Sequence, residues 1–157
     1  MFKSIESRLD AIESRFAIDA LIANYAEAFD TMNMELLASL WHPDSRLLLG
    51  ANGNSDGLEA ILSQAQVNMK RMPHMHHWMA NAIITIDGDS GTGLVAADCL
   101  FYHVDQGPLQ ASGQYQDVYE RRDGRWAFLQ RTFDMHFSTP LKHWVPAVGT
   151  ERWGRTD

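Results

Sequence analysis

Hydrophobic residues recur every three or four positions through the first part of the chain, which is the spacing of one face of an α-helix. The spacing covers residues 5–16 and continues through residues 18–29. Asn33 then stands where it can cap a short helix over residues 34–41. The same spacing returns over residues 58–69, so the first half of the sequence predicts a mainly helical segment.

Polar and hydrophobic positions alternate in the second half, where residues that favour strands are frequent. We expect a short strand at residues 46–49, a loop at 50–57, and long strands at 76–86, 92–104, 113–121 and 126–137. The dipeptide Asp123-Gly124 is a typical two-residue hairpin connection between the last two strands. Helices followed by long antiparallel strands indicate an α+β fold, with the helices packed on one face of the sheet. A sheet that curls around the helices would enclose an apolar cavity suited to a small molecule.

The length of 157 residues fits a single domain, 1–157, and 45% hydrophobic against 21% charged residues is a globular composition. We expect an N-terminal helix over residues 1–15 and an irregular tail over residues 138–157. Two tryptophans in that tail, Trp144 and Trp153, would be unfavourable in solvent. The tail is therefore expected to pack at a subunit interface.

The charge balance excludes several classes of partner. Thirteen Lys and Arg against 20 Asp and Glu give a net charge of −7, so the basic stripe that a nucleic acid or an anionic membrane requires is not expected. No apolar run approaches the roughly 20 residues that span a bilayer. The charged, amphipathic start of the sequence does not resemble a secretory signal, so we expect a cytoplasmic protein.

Cysteine and histidine usage argues against a metal centre. The single cysteine, Cys99, excludes an intrachain disulfide framework and a cysteine-based zinc site, and its apolar surroundings predict a buried packing residue. His74 and His76 would share one face of a strand, whereas His77 would point to the other. A metal needs three or four converging ligands, so we expect no metal and read these histidines as surface or pocket residues.

Three polar residues stand out in hydrophobic surroundings. Asp30 ends an apolar helix and is either a loop or capping residue or a buried carboxylate that orients a histidine. Tyr25, five residues earlier, could reach the same cavity, where a phenol can polarise a carbonyl or protonate a leaving hydroxyl. Arg131 lies in an apolar strand and needs an anionic partner if its face is interior. If that face is exterior it is an ordinary solvated charge, and the alternation leaves both alternatives open.

An ordered set of segments, spread over residues 17–146, resembles the SnoaL-like proteins of the nuclear-transport-factor-2-like superfamily. The segments are Ala28-Phe29-Asp30, Leu37-Ala38-Ser39-Leu40-Trp41, His77, Ile83-Ile84-Thr85-Ile86-Asp87-Gly88, Tyr119-Glu120-Arg121-Arg122-Asp123-Gly124-Arg125-Trp126, and Arg131 to Leu141 with its Thr139-Pro140-Leu141. The resemblance implies a cone-shaped, curved, mixed or antiparallel sheet wrapped around N-terminal helices. Within the family the pattern is similar to hexachlorocyclohexane dehydrochlorinase and, more distantly, to bile-acid dehydratase and scytalone dehydratase. It is also similar to lyases that eliminate formaldehyde from lignin-derived dimers.

The resemblance carries site residues onto this sequence. It places the family's catalytic aspartate on Asp30, its catalytic histidine on His77, and the active-site arginine of the dehydrochlorinases on Arg131. Tyr25 falls where the dehydrochlorinases have a lysine and the bile-acid dehydratase has a tyrosine. The absence of a cation at that position disfavours chloride as leaving group and favours oxygen chemistry.

The combined expectation is a cofactor-independent lyase in which His77 removes a proton and Asp30 orients it, while Tyr25 and Arg131 stabilise negative charge or assist the leaving group. The substrate is expected to be small, hydrophobic and aromatic, against a wall formed by Trp41, Met75, Met79, Phe101 and Phe133. Relatives are often trimers, so a homotrimer is expected, with a dimer as the alternative. Three other functions remain open: an isomerase or cyclase, a non-catalytic binding module, and the small subunit of a ring-hydroxylating oxygenase.

Overall fold

The computed structural model describes residues 4–142, which form three α-helices and six strands. In chain order these are α1 (Ile5–Asp30), α2 (Met34–Ser39), β1 (Trp41–Leu48), a short 3-10 turn (Gly50–Asn52), β2 (Asn54–Asp56), α3 (Leu58–Arg71), β3 (His74–Asp87), β4 (Ser90–His103), β5 (Gly107–Arg122) and β6 (Arg125–Pro140). The strands make one sheet in the order β2-β1-β6-β5-β4-β3. Every neighbouring pair is antiparallel except β1 and β6, which are parallel. The α+β class and the mixed sheet expected from the sequence are confirmed.

Helix α1 is the main element that packs on the sheet, and it contacts β3 and β6. Its first turn is capped by Ser4, whose hydroxyl accepts a hydrogen bond from the backbone N–H of Ser7 at 3.2 Å. Residues 5–15 of the N-terminal helix expected over residues 1–15 form the first part of this longer helix, and residues 1–3 lie outside the described residues. Its C-terminal half carries the buried face, namely Ile18, Leu21, Ile22, Tyr25, Ala28 and Phe29.

The second helix is shorter than predicted because the chain after it joins the sheet. Helix α2 ends at Ser39, and Trp41 opens β1 instead of closing the helix. Trp41 pairs in register with Phe128 of β6, and Ser45 donates a hydrogen bond at 2.6 Å to the carbonyl of Phe128. Pro43 is tolerated in β1 because the register shifts between Trp41 and Arg46, as strand prolines require.

The long strands extend beyond their predicted bounds. Strand β5 begins six residues before the predicted start at 113, and β6 runs three residues past 137 to Pro140, which pairs with Leu109. The hairpin at Asp123-Gly124 is confirmed, and both residues have the positive φ, 51° and 78°, that such a turn needs. The expected interface tail, with Trp144 and Trp153, lies outside the described residues apart from its first few positions. Among residues 4–142, no helix combines the length and apolarity needed to cross a membrane.

Candidate active site

A cavity of about 100 Å³ lies between α1, α3 and strands β3 to β6. Its nonpolar lining consists of Phe29, Leu49, Met72, Met75, Ala97, Phe101, Ala111, Phe133 and Met135. Its polar lining consists of Tyr25, Asn52, Asn68, His77, Cys99 and Tyr115. A largely apolar cavity with a few converging polar groups is the usual form of a small-molecule site.

Asp30 and His77 meet at the edge of this cavity although they lie 47 positions apart. Asp30 is the last residue of α1, and α1 packs along β3, which carries His77. The carboxylate accepts a hydrogen bond from the ring Nδ1 of His77 at 2.5 Å and a second from its backbone N–H at 2.9 Å. Because Nδ1–H donates to the carboxylate, the remaining ring nitrogen, Nε2, is left as the basic atom.

The surroundings of His77 favour its protonated form. Burial opposes the positive charge, but the hydrogen bonds to Asp30 and Cys99 outweigh it and raise the pKa of His77 to about 9. Cys99 is the register partner of His77 across β3 and β4 and lines the same cavity. Cys99 packs against the hydrophobic core as the sequence predicts, but it is half-buried rather than buried. The preceding residue, His76, has its Nδ1 3.5 Å from a carboxylate oxygen of Asp30, but its side chain is 60% exposed.

Tyr25 lies on α1 five residues before Asp30 and is 2% exposed. It lines the cavity, where its ring lies 4.9 Å from Phe29 and 5.6 Å from Tyr115, centroid to centroid. Burial raises the pKa of the Tyr25 phenol, while the positive charge of Arg131 opposes that rise. A phenol in this state keeps its proton at neutral pH and acts as a hydrogen-bond donor.

Arg131 faces the interior, which settles the alternative that the sequence left open. It is fully buried, and its Nε and Nη2 each donate a hydrogen bond at 2.8 Å to the carboxylate of Asp117. Its guanidinium carbon lies 4.3 Å from the Tyr25 ring and 4.1 Å from the Tyr115 ring. Its Nη1 has no hydrogen-bond partner among the described residues. Arg131 does not line the cavity itself, so its charge reaches the cavity through the two phenol rings.

The structure places three of the five residues expected to form a hydrophobic wall at this cavity. Met75, Phe101 and Phe133 line the cavity, whereas Trp41 and Met79 do not. Trp41 is buried in the core, 5.1 Å from the ring of Phe128, because it belongs to a strand that pairs with β6. Met79 shares a strand face with Met75 but lies further along β3, in a separate groove beside α1.

Sequence reasoning did not assign Tyr115 to the site. Alternation along β5 places Tyr115, Asp117 and Tyr119 on one face, and that face is buried. The alternation in the sequence thus places these three residues on one face of the strand, but it does not indicate that this face is the interior one. The described residues contain no group of three or more His, Cys, Asp or Glu arranged to hold a metal ion.

Known proteins share both the sequence pattern and the fold. The model of the SnoaL-like domain matches residues 10–132. Gamma-hexachlorocyclohexane dehydrochlorinase of Sphingobium indicum is 32% identical over 148 residues, covering 89% of this chain and 93% of the relative. The crystal structure of hexachlorocyclohexane dehydrochlorinase from Novosphingobium barchaimii superposes with a TM-score of 0.83 at 29% identity, covering 89% of this chain and 99% of that chain.

A more distant structure, named for scytalone dehydratase and taken from Novosphingobium aromaticivorans, shares the fold. Its TM-score is 0.77 at 20% identity, covering 96% of this chain and 99% of that chain. The likeness to the dehydrochlorinases extends over most of the chain and supports an enzyme of the lyase or isomerase type. On this sequence match and this fold, the chain belongs to the SnoaL-like family.

Proposed function

We propose that the protein is a cofactor-independent lyase that removes a proton and eliminates water or formaldehyde from a small, hydrophobic, aromatic substrate. The observation that carries the proposal is the 2.5 Å hydrogen bond between Asp30 and Nδ1 of His77 at the wall of an apolar cavity. It prepares one ring nitrogen to accept a proton and places a carboxylate where it stabilises the resulting imidazolium.

The reaction uses four side chains. Nε2 of His77 takes a proton from a carbon of the substrate, and the electron pair of the broken C–H bond forms a new double bond. When water is eliminated, the C–O bond on the adjacent carbon breaks and the departing oxygen receives the proton of Tyr25. When formaldehyde is released, Nε2 instead takes the O–H proton of a hydroxymethyl group, the C–C bond to that group breaks, and its electron pair expels the hydroxyl of the next carbon, which Tyr25 protonates. The positive charge of Arg131, 4.3 Å from the Tyr25 ring, stabilises the phenolate that forms. Transfer of the proton from His77 back to Tyr25 through solvent restores both groups.

The leaving group is more consistent with water or formaldehyde than with chloride. Chloride leaves without a proton, whereas an alkoxide or hydroxide requires a donor such as the Tyr25 phenol. No lysine or arginine is among the cavity-lining residues of the described chain. A permanently charged side chain that would directly stabilise a departing chloride is therefore not among the described residues of the cavity wall.

The cavity volume limits the substrate. An apolar cavity of about 150 Å³ in another protein accommodates benzene. The cavity of about 100 Å³ between α1 and the sheet is smaller and open on one side, so it favours a compound whose single ring enters it and whose substituents lie at the opening. The same open cavity, beside a hydrogen-bonded Asp30–His77 pair, argues against a purely non-catalytic module.

The test is product analysis on matched one-ring substrates. The purified protein is incubated with a phenyl β-hydroxyketone, a phenyl-1,3-propanediol and gamma-hexachlorocyclohexane, and products are followed by mass, formaldehyde release and chloride release. We expect loss of water or formaldehyde, and little or no chloride release. His77→Ala should remove turnover, and His74→Ala, three positions earlier on the same strand, should retain it. Turnover by His77→Ala, or a product of unchanged mass, would contradict the proposal, and the latter would identify an isomerase.

A further inference from the structure

Tyr115 and Tyr25 form a pair of phenols over one buried cation. Their ring centroids are 5.6 Å apart, and both side chains line the cavity. The guanidinium carbon of Arg131 lies 4.1 Å from the Tyr115 ring and 4.3 Å from the Tyr25 ring. Asp117 fixes that cation with two hydrogen bonds of 2.8 Å. The rings and the charge are thus held together by elements as distant as α1 and β5.

The surroundings of the two phenols indicate which of them donates a hydrogen bond to the other. Burial raises the pKa of the Tyr115 phenol well above its usual value, and the nearby Tyr25 raises it further. Burial also raises the pKa of Tyr25, but the charge of Arg131 and the neighbouring Tyr115 hydroxyl act in the opposite direction. Tyr25 becomes a phenolate when it gives its proton to the departing oxygen, and a phenolate can only accept a hydrogen bond. Tyr115 still holds its proton at that point, which makes it the donor in a hydrogen bond between the two side chains.

We propose that Tyr115 is a positioning residue that donates its phenolic hydrogen to the oxygen of Tyr25, so that the hydrogen of Tyr25 points to an oxygen of the substrate. The substrate class follows: a compound whose oxygen gains negative charge during the reaction, such as a phenol, an enol or an aromatic carbonyl compound. Arg131 stabilises that charge from beneath both rings. This inference rests on the role of Tyr25 in the proposed function and adds the residue that orients it.

A purely structural role for Tyr115 gives a different expectation. Its ring also packs at 4.8 Å from Phe133, so its removal could act on the cavity shape alone. Tyr115→Phe keeps the ring, its packing and its contact with Arg131, and removes only the hydroxyl. A loss that appears in this variant is therefore a loss of hydrogen bonding.

The experiment measures binding of 4-nitrophenol, whose phenolate absorbs visible light, and of 4-nitrotoluene, which has the same shape without the oxygen. The wild type should bind the phenol more tightly than the toluene derivative. Tyr115→Phe should weaken 4-nitrophenol binding about tenfold, as expected for one hydrogen bond to a developing charge, and leave 4-nitrotoluene binding unchanged. Tyr102→Phe, on a tyrosine that does not line the cavity, should bind both probes like the wild type.

The double variant Tyr25→Phe/Tyr115→Phe tests whether Tyr115 acts through Tyr25, an arrangement called the tyrosine relay below, or whether each tyrosine contacts the ligand on its own. In the relay, Tyr25→Phe removes the acceptor of the Tyr115 hydrogen bond, so adding Tyr115→Phe should change 4-nitrophenol binding by less than about twofold. Multiplied losses in the double variant, equal losses for both probes, or no loss in Tyr115→Phe would overturn the inference. These measurements need no turnover, so a failed elimination assay and a failed tyrosine relay give distinct results.

Discussion

Asp30 receives two hydrogen bonds from one residue, His77: one from the ring Nδ1 at 2.5 Å and one from the backbone N–H at 2.9 Å. The backbone bond fixes the strand position relative to the end of α1, and the ring bond fixes the rotation of the imidazole. A base held at both points loses little freedom when a substrate binds. This double attachment supplies the preorganisation that proton abstraction from carbon requires.

The first prediction concerns the pH dependence of elimination. His77 is a base only when unprotonated, and its pKa is raised to about 9 because the bonds to Asp30 and Cys99 outweigh burial. We expect kcat/KM to rise about tenfold for each pH unit from neutral pH and to level off near the pKa of His77. A pH-rate profile of the wild type on its best one-ring substrate measures this. A profile that is flat across this range would exclude His77 as the base.

The second prediction separates the charge of Asp30 from its shape. Asp30→Asn removes the charge that favours the imidazolium, while burial, which disfavours it, remains. The pKa of His77 should therefore fall, and the rise in kcat/KM should move to lower pH. The plateau should drop by about 100-fold or more because the imidazolium formed in the reaction is no longer stabilised.

NMR titration of the His77 ring checks the pKa of Asp30→Asn without turnover. Asp19→Asn is the matched control, since Asp19 lies on the same helix and its side chain is 42% exposed. That variant should keep the wild-type profile. An Asp30→Asn profile identical to that of the wild type would show that the carboxylate does not act on His77.

The sequence anticipated the architecture because local patterns determine most of it. The helical spacing of α1, the alternation of β5 and the turn at Asp123-Gly124 are short-range signals. The residues that it misplaced depend on contacts between distant parts of the chain. Trp41 was predicted to end a helix and line the cavity, but it pairs in register with Phe128, far along the sequence.

The residues of the candidate site also differ in how far the sequence could place them. Asp30 and His77 were assigned through a family resemblance, and the structure brings them together. For Arg131, periodicity could not decide between interior and exterior. Arg131 on β6 pairs in register with Asp117 on β5. The pairing of these two strands therefore decides that the face carrying both residues is the buried one. Tyr115 was missed for the same reason.

The third prediction concerns the buried pair of Arg131 and Asp117. Both side chains are 0% exposed, so removing one partner leaves an uncompensated charge in the interior. Arg131→Met and Asp117→Leu should each lower the free energy of unfolding by about 3–5 kcal/mol. The double variant should recover much of this loss because no charge is left unpaired. Urea denaturation of the four proteins measures these differences.

The same variants test whether Arg131 acts on the reaction. The double variant regains stability but lacks the cation beneath Tyr25, so its kcat should remain low while its fold is intact. Recovery of both stability and activity would mean that the pair only supports the fold. Recovery of stability alone supports an electrostatic role for the guanidinium, which lies 4.3 Å from the Tyr25 ring.

The fourth prediction fills the cavity. Ala111 lines it from β5 and is 8% exposed, so the larger side chain of Ala111→Leu would project into empty space rather than into packed atoms. We expect binding of 4-nitrotoluene to weaken by at least about tenfold, with the free energy of unfolding changed by less than about 1.5 kcal/mol. Isothermal titration and urea denaturation measure the two quantities. Ala96→Leu, on β4 but outside the cavity lining, should bind 4-nitrotoluene like the wild type. Unchanged binding by Ala111→Leu would mean that hydrophobic compounds bind elsewhere, and the cavity between α1 and the sheet would lose its role as the substrate site.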